Sequence, residues 1–224
     1  MKRVRLALLL AAIAAPAAAD QVDTAFHAAF GKNGSVLLKK QGHLNENVKY
    51  TPGDLVQAPF GPVLLSPGEV VGASHANSGK LAIFYLKPTA KGFDVDRRFV
   101  PALETGSFGK IVDFSVSRSF GDLPIVTVNG AGNWQGYSCS TTTLIELAPD
   151  GPRHLVTVPI TYDNSGALGD GKKLTQVNGR IEKIQPGKAF DVAYFGSKDF
   201  TERYVRKGDR YVLAAGGQSR VQRC

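Results

Sequence analysis

Short runs of β-forming residues, each ended by a turn signal, restrict this chain to an all-β fold. The runs are rich in Val, Ile, Phe, Tyr and Thr. Turn-forming pairs separate them, namely Pro52-Gly53, Pro67-Gly68, Asp150-Gly151, Pro186-Gly187 and Lys207-Gly208. Residues 20–224 are therefore predicted to form a single β-rich domain.

The predicted strands recur in sets of four, which suggests internal repeats. Three consecutive four-stranded antiparallel meanders are expected, at about residues 48–100, 110–160 and 174–215. In rhythm, meanders in series resemble the blades of a β-propeller, although the chain has no Trp-Asp signature. Because a propeller ring usually needs at least about four blades, a β-sandwich remains the alternative.

One short helix is expected before the strands. Apolar residues recur at helical spacing within residues 21–30, namely Val22, Ala25, Phe26, Ala29 and Phe30. Gly31 follows at the position where a helix cap belongs. The spacing therefore predicts a helix over residues 21–30.

Residues 1–19 have the pattern of a secretory signal peptide. Lys2, Arg3 and Arg5 precede an apolar run over residues 6–15, and small residues at 17–19 offer a cleavage site before Asp20. The run is too short to span a membrane, and no later segment approaches about eighteen uninterrupted apolar residues. We therefore predict a periplasmic or secreted protein that is cleaved near Ala19 and has no membrane span.

The sequence has two cysteines, Cys139 and Cys224. An even count in an oxidising compartment makes a disulfide between them the default prediction. On a strand, Cys139 would share a face with Thr141 and Thr143, so the bond would tie residue 224 to a sheet. Two free thiols are the alternative.

Catalytic signals in the sequence are weak. No Gly-x-Ser-x-Gly elbow is present, and no two histidines have a spacing common in metal sites, so no metal or other cofactor is expected. His75 lies in a small polar segment, residues 72–79, that is predicted to be a turn. His154 alternates with Val156 and Val158, which predicts that its side chain points inward.

Residues 129–137 are predicted to form a ligand-binding loop. The segment carries the only tryptophan, Trp134, next to glycines and the amide side chains of Asn133 and Gln135, and Tyr137 follows. Aromatic faces flanked by amides suit the stacking and hydrogen bonding that sugars and aromatic ligands require. These four residues are the candidate ligand site, and structural anchoring is their alternative role.

A second polar segment, residues 161–171, gathers oxygen-bearing side chains. Asp163, Asn164, Ser165 and Asp170 are of the types that hold a hard cation such as calcium. Their spacing matches no EF-hand loop, however. Turn capping is the simpler interpretation.

Positive charge is concentrated in the third predicted unit. Residues 172–223 contain 12 Lys and Arg against 5 Asp and Glu, whereas residues 20–171 contain 12 against 14. Arg203, Arg206, Lys207 and Arg210 are predicted to form a patch that meets an anionic envelope component. Protection of a sheet edge against aggregation is the alternative role.

These features predict a non-enzymatic ligand-binding or envelope-interaction module that works outside the cytoplasm. The expected partners are a glycan or another small molecule, with no nucleic acid because the chain is exported and lacks a recognition motif. The alternative is a hydrolase that uses His75 or His154.

Overall fold

The computed structural model describes residues 18–39, 45–169, 171 and 173–224. One helix, α1 (Ala18–Phe30), precedes antiparallel strands, so the predicted all-β class with a short N-terminal helix is confirmed. Most of the predicted signal peptide, residues 1–17, lies outside the described residues. Within the described ranges, no helix has the length and apolar character needed to cross a membrane.

The first sheet is built from six strands in the order β1-β2-β4-β5-β6, with β3 paired to β4. Their bounds are β1 (Ser35–Leu38), β2 (Glu46–Tyr50), β3 (Asp54–Ala58), β4 (Gly61–Val70), β5 (Gly79–Thr89) and β6 (Gly92–Thr105). β2 and β3 are two short, separate strands. Pro52-Gly53 separates them, and a Cβ at residue 53 would come within 2.4 Å of the Leu65 carbonyl oxygen, so only glycine fits this approach.

The second sheet contains eight strands that pair in chain order. Their bounds are β7 (Asp113–Ser117), β8 (Ile125–Trp134), β9 (Tyr137–Ala148), β10 (Gly151–Asp163), β11 (Gln176–Gln185), β12 (Ala189–Gly196), β13 (Phe200–Lys207) and β14 (Arg210–Leu213). The end of β10 pairs with the start of β11, with Tyr162 opposite Val177. This pairing joins the second and third predicted units, so the strands group into two sheets and not into three units.

The two sheets pack face to face. Their shared core consists of buried aliphatic side chains, with Val63, Leu65, Leu81 and Ile83 from the first sheet and Val126, Val128, Ile145 and Leu147 from the second. The hydroxyl of Tyr85 donates a hydrogen bond of 2.6 Å to the Ala148 carbonyl across the interface. The arrangement is that of a sandwich, which was one of the two architectures expected.

Each sheet has a further core on its other face. Helix α1 covers the first sheet and buries Ala25, Phe26 and Ala29 against it. The second sheet surrounds an aromatic core in which the ring of Phe190 stacks on Tyr204 with centroids 5.1 Å apart. Burial of apolar area on both faces supplies the main driving force for folding.

Candidate functional site

Residues 129–137 form a tight hairpin instead of the expected loop. Every residue from 129 to 134 is paired with a residue of β9, and only Gln135 and Gly136 lie between the strands. Both turn residues have positive φ angles, 50° and 85°, as a two-residue type I′ turn requires. The glycine-rich stretch is therefore a well-paired strand end.

An open groove of about 360 Å3 lies on the face of β8 and β9 that also packs against the first sheet. Every second residue along β8 lies on this face: Val126 and Val128 belong to the shared core, and Gly130, Gly132 and Trp134 continue the face beyond it. Because Gly130 and Gly132 have no side chains, the backbone of β8 forms the floor of the groove there. The indole ring stands at its end.

The indole ring of Trp134 lies back over Gly132. A Cβ at residue 132 would come within 1.8 Å of the Trp134 Cη2 atom, so glycine is what makes room for the ring. Trp134 is 36% exposed and lines the groove. The ring is therefore positioned by the strand and still open on one side to a ligand.

The end of β6 forms one wall of the groove. Thr105 and Gly106 approach β8 so closely that a Cβ at residue 130 would come within 2.1 Å of Thr105 Oγ1. Next to them, the Ser107 hydroxyl donates a hydrogen bond of 3.0 Å to the Ala131 carbonyl. The first sheet is thus fastened directly beside the groove.

The C-terminal segment forms the opposite wall, and a disulfide holds it there. Cys139 on β9 is bonded to Cys224, and their Cα atoms are 6.0 Å apart, which confirms the predicted bond. Gln222, Arg223 and Cys224 all line the groove. The bond therefore brings residues that are distant in sequence to the indole ring.

Five of the residues that line the groove are Ser or Thr, namely Thr105, Ser140, Thr141, Thr157 and Thr161. The hydroxyls of Ser140 and Thr161 are 2.8 Å apart and share a hydrogen bond. Hydroxyls can both donate and accept, so this lining suits a ligand that carries many hydroxyl groups.

Of the four predicted ligand residues, Trp134 alone lines the groove. The Asn133 amide donates to the Ser138 hydroxyl at 3.0 Å, Gln135 forms the turn, and the Tyr137 ring packs 6.2 Å from that of Tyr162. The sequence predicted a loop here, so the strand face that lines the groove was not predicted. Strand alternation of Gly130, Gly132 and Trp134 was the signal that could have found it.

His154 is exposed, and the prediction that it points inward is wrong. A β-bulge between His154 and Val156 inserts Leu155, which shifts the alternation by one residue. His154 therefore lies in phase with Thr157, and its Nε2 atom is 2.8 Å from the Thr157 hydroxyl. That hydroxyl is in turn 3.0 Å from the Thr143 hydroxyl.

His75 lies in the expected turn, where the neighbouring polar groups bond to one another. The Ser74 hydroxyl donates to the Asn77 side-chain oxygen at 3.0 Å. The His75 ring packs edge-on against Phe108 with centroids 6.4 Å apart. The structure thus brings Ser74 to Asn77 and leaves His75 beside an aromatic ring.

The oxygen-rich segment after β10 is occupied by turn capping. The Asp163 carboxylate accepts hydrogen bonds from the Ser165 backbone amide at 2.6 Å and from the Gln176 side chain at 3.0 Å. Hydrogen bonds from Ser165, of which the backbone one has the largest effect, and from Gln176 lower the pKa of Asp163. Asn164 bonds the backbone of Lys173 and Thr175. Asp170 lies outside the described residues. Among the residues that the structure describes, no group of three or more His, Cys, Asp or Glu is arranged to hold a metal.

The predicted basic patch is partly neutralised by carboxylates. Arg203 pairs with Asp191 at 2.8 Å, and Arg206 with Glu146 at 3.0 Å. Burial acts to lower the pKa of Arg206, but the hydrogen bond and charge of Glu146 outweigh it and raise that pKa. Arg210 and Lys207 are exposed. Binding of an anionic partner here stays a prediction.

No family model, curated protein or solved structure matches the chain. Similarity therefore assigns neither a family nor an activity. The chemistry of the groove is the basis on which a function can be argued.

Proposed function

We propose that the protein is an exported, non-enzymatic module that binds a small saccharide in the groove beside Trp134. The observation that carries the proposal is the indole ring, held over Gly132 and open to the groove. Sugar rings have an apolar C–H face that stacks on an indole, while their hydroxyl groups bond polar side chains at the edge. The groove offers both kinds of contact.

The size and lining of the groove support this class of ligand. Its volume of about 360 Å3 is within the range of small-molecule sites. Five Ser and Thr residues line it, among them Thr141 and Thr157 on neighbouring strands. Because the surrounding strands are paired, these groups are preorganised, which lowers the entropic cost of binding.

Two observations support export. The disulfide between Cys139 and Cys224 is typical of proteins in oxidising compartments. In α1, the buried residues begin at Ala25, so cleavage near Ala19 would leave all of them in the mature protein. The test is N-terminal sequencing of protein recovered from the periplasm or medium, where a start near Asp20 is expected and an intact Met1 would contradict export.

Binding is tested by titration calorimetry with a panel of neutral and acidic mono- and oligosaccharides. The wild type should bind at least one member, and Trp134→Ala should lose that binding while its circular dichroism is unchanged. Phe195→Ala is the matched control, since Phe195 is a 49% exposed aromatic residue outside the groove. Equal binding by Trp134→Ala and the wild type would rule out this site.

A hydrolase is the second candidate, and one contact favours it. His154 Nε2 is within hydrogen-bond distance of the Thr157 hydroxyl, which lines the groove. A base next to a hydroxyl is the pairing that activates a nucleophile. Turnover of ester or glycoside substrates that disappears in both His154→Ala and Thr157→Val would favour this candidate, and its absence in the wild type would exclude it for those substrates.

A further inference from the structure

One wall of the groove is a three-residue strap, residues 222–224, whose only charged side chain is that of Arg223. Among the described residues that line the groove, none is Asp or Glu. Arg223 is therefore the only charged residue among the described ones that line the groove. Electrostatic complementarity favours an anionic group on the ligand at this end.

The chain just before the strap is anchored independently of the disulfide. The Arg220 amide donates to Glu202 at 2.6 Å, its guanidinium lies 4.0 Å from the centre of the Phe200 ring, and Val221 is buried in the aromatic core of the second sheet. Beyond Val221, the covalent bond to Cys139 fixes the strap against β9. Arg220 and Val221 thus hold the chain in place without the disulfide, whereas the disulfide is what holds residues 222–224, including Arg223, at the groove.

We infer that the groove selects saccharides that carry a carboxylate, and that Arg223, held by the disulfide, is the residue that recognises it. The inference rests on the proposed function, because it names the class of ligand for the same groove. A guanidinium matches a carboxylate with two parallel hydrogen bonds. The indole ring of Trp134 would stack on the sugar ring while Arg223 bonds its acidic substituent.

The test compares acidic sugars with neutral ones of the same ring. The probes are glucuronic acid with glucose, galacturonic acid with galactose, and N-acetylmuramic acid with N-acetylglucosamine, titrated by tryptophan fluorescence. In at least one pair the wild type should bind the acid roughly tenfold or more tightly, as expected for a charge-assisted hydrogen bond. Arg223→Gln should bind both members of that pair with the affinity of the neutral sugar.

The control variant is Arg180→Gln, which removes an exposed arginine from β11 outside the groove. It should retain the preference for the acid. Equal binding of acid and neutral sugar by the wild type would overturn this inference and leave the proposed function standing. Failure to bind any of the six sugars or the wider saccharide panel would overturn both.

The role of the disulfide is tested separately with Cys224→Ser. This variant should keep the sheet signal in circular dichroism and should lose the preference for the acid as Arg223→Gln does. Reduction of the wild type by a dithiol, which breaks the S–S bond with two electrons and two protons, should give the same result. A preference that survives both treatments would show that the strap does not need the bond.

Discussion

Polar side chains have different surroundings in the core of the first sheet and at the groove beside the second sheet. The first sheet completely buries the ammonium group of Lys80, which lies 2.9 Å from Glu46 and 2.7 Å from Glu104. The second sheet contributes Ser140, Thr141, Thr157 and Thr161 to the lining of an open groove, which Arg223 also lines. Polar groups that are buried with partners serve the fold, whereas polar groups that line an open groove next to an indole ring are available to a ligand.

The buried network also accounts for the segment around His75. The Asn77 amide donates to Glu46 at 2.8 Å, so the turn is tied to the same carboxylate that pairs with Lys80. Burial, followed by the charges of Glu104 and Glu46, raises the pKa of the nearby Tyr50 well above its usual value. The polar residues of the turn are thus used in holding the first sheet together.

The largest predicted effect tests the structural role of the buried charge. Lys80→Met should lower the free energy of unfolding by about 3–5 kcal/mol, because Glu46 would stay buried without its cation. The measurement is urea denaturation followed by circular dichroism. Lys110→Met is the matched control, since Lys110 pairs with Glu69 at 2.9 Å on the surface, and its loss should cost no more than about 1 kcal/mol. Equal losses in the two variants would contradict the structural role of the buried charge.

The second sheet depends on a covalent link where the first depends on a buried ion pair. Cys224→Ser should lower the free energy of unfolding by about 2–4 kcal/mol, since the bond spans 85 residues and restricts the unfolded chain. Thermal unfolding with and without a reductant measures this, and the reduced wild type should match the variant. Two alkylated thiols in exported protein that was never reduced would contradict the bond.

Much of the strand pattern could be predicted because turn signals mark the ends of strands. Pro52-Gly53 and Pro186-Gly187 lie between consecutive strands as expected, whereas Pro67-Gly68 lies within β4 and marks no strand end. The division into sheets could not be predicted, since it depends on β10 extending to Asp163 and pairing with β11 across a capped turn. Local sequence gives strand positions, whereas the partner of a strand depends on contacts that form only in the folded chain.

The groove was less predictable than the strands. Its walls come from Thr105 and from Arg223, which are far apart in the sequence and meet only through sheet packing and the disulfide. The inserted residue Leu155 changed the face of His154, and simple alternation cannot reveal such a bulge. Trp134 could be predicted as a ligand residue because it is the only tryptophan of the sequence and lies among glycines.

A smaller effect is expected where the groove owes its shape to a glycine. Gly132→Ala should displace the indole ring of Trp134 and cost about 1–3 kcal/mol, since its Cβ would overlap the ring. A shift of the fluorescence emission maximum would report the displacement, because Trp134 is the only tryptophan. Gly121→Ala is the control, since a Cβ there meets no atom within 4 Å. An unchanged emission spectrum in Gly132→Ala would contradict the position of the ring.

The smallest predicted effect concerns the capped turn that supports the hairpin of Trp134. A Cβ at residue 136 would come within 2.2 Å of Gly166, so the hairpin turn rests on the short 3₁₀ turn Ser165–Ala167 that Asp163 caps. Hydrogen bonds from Ser165 and Gln176 lower the pKa of Asp163 in the folded state. Its contribution to stability is therefore fully present above the unfolded pKa of about 3.9 and is lost as the pH falls through the lower folded value.

Asp163→Asn should consequently melt earlier than the wild type at pH 6, and the difference should shrink as the pH falls below the unfolded pKa of about 3.9, because the carboxyl then takes up a proton first in the unfolded chain and at lower pH in the folded one. Thermal unfolding from pH 3 to pH 7 measures this difference, and tryptophan emission in the same samples shows whether loosening of the turn reaches the groove. Asp122→Asn, in the turn between β7 and β8, controls for the removal of one negative charge. A difference between Asp163→Asn and the wild type that persists undiminished at pH 3 would show that the variant acts through something other than the charged cap.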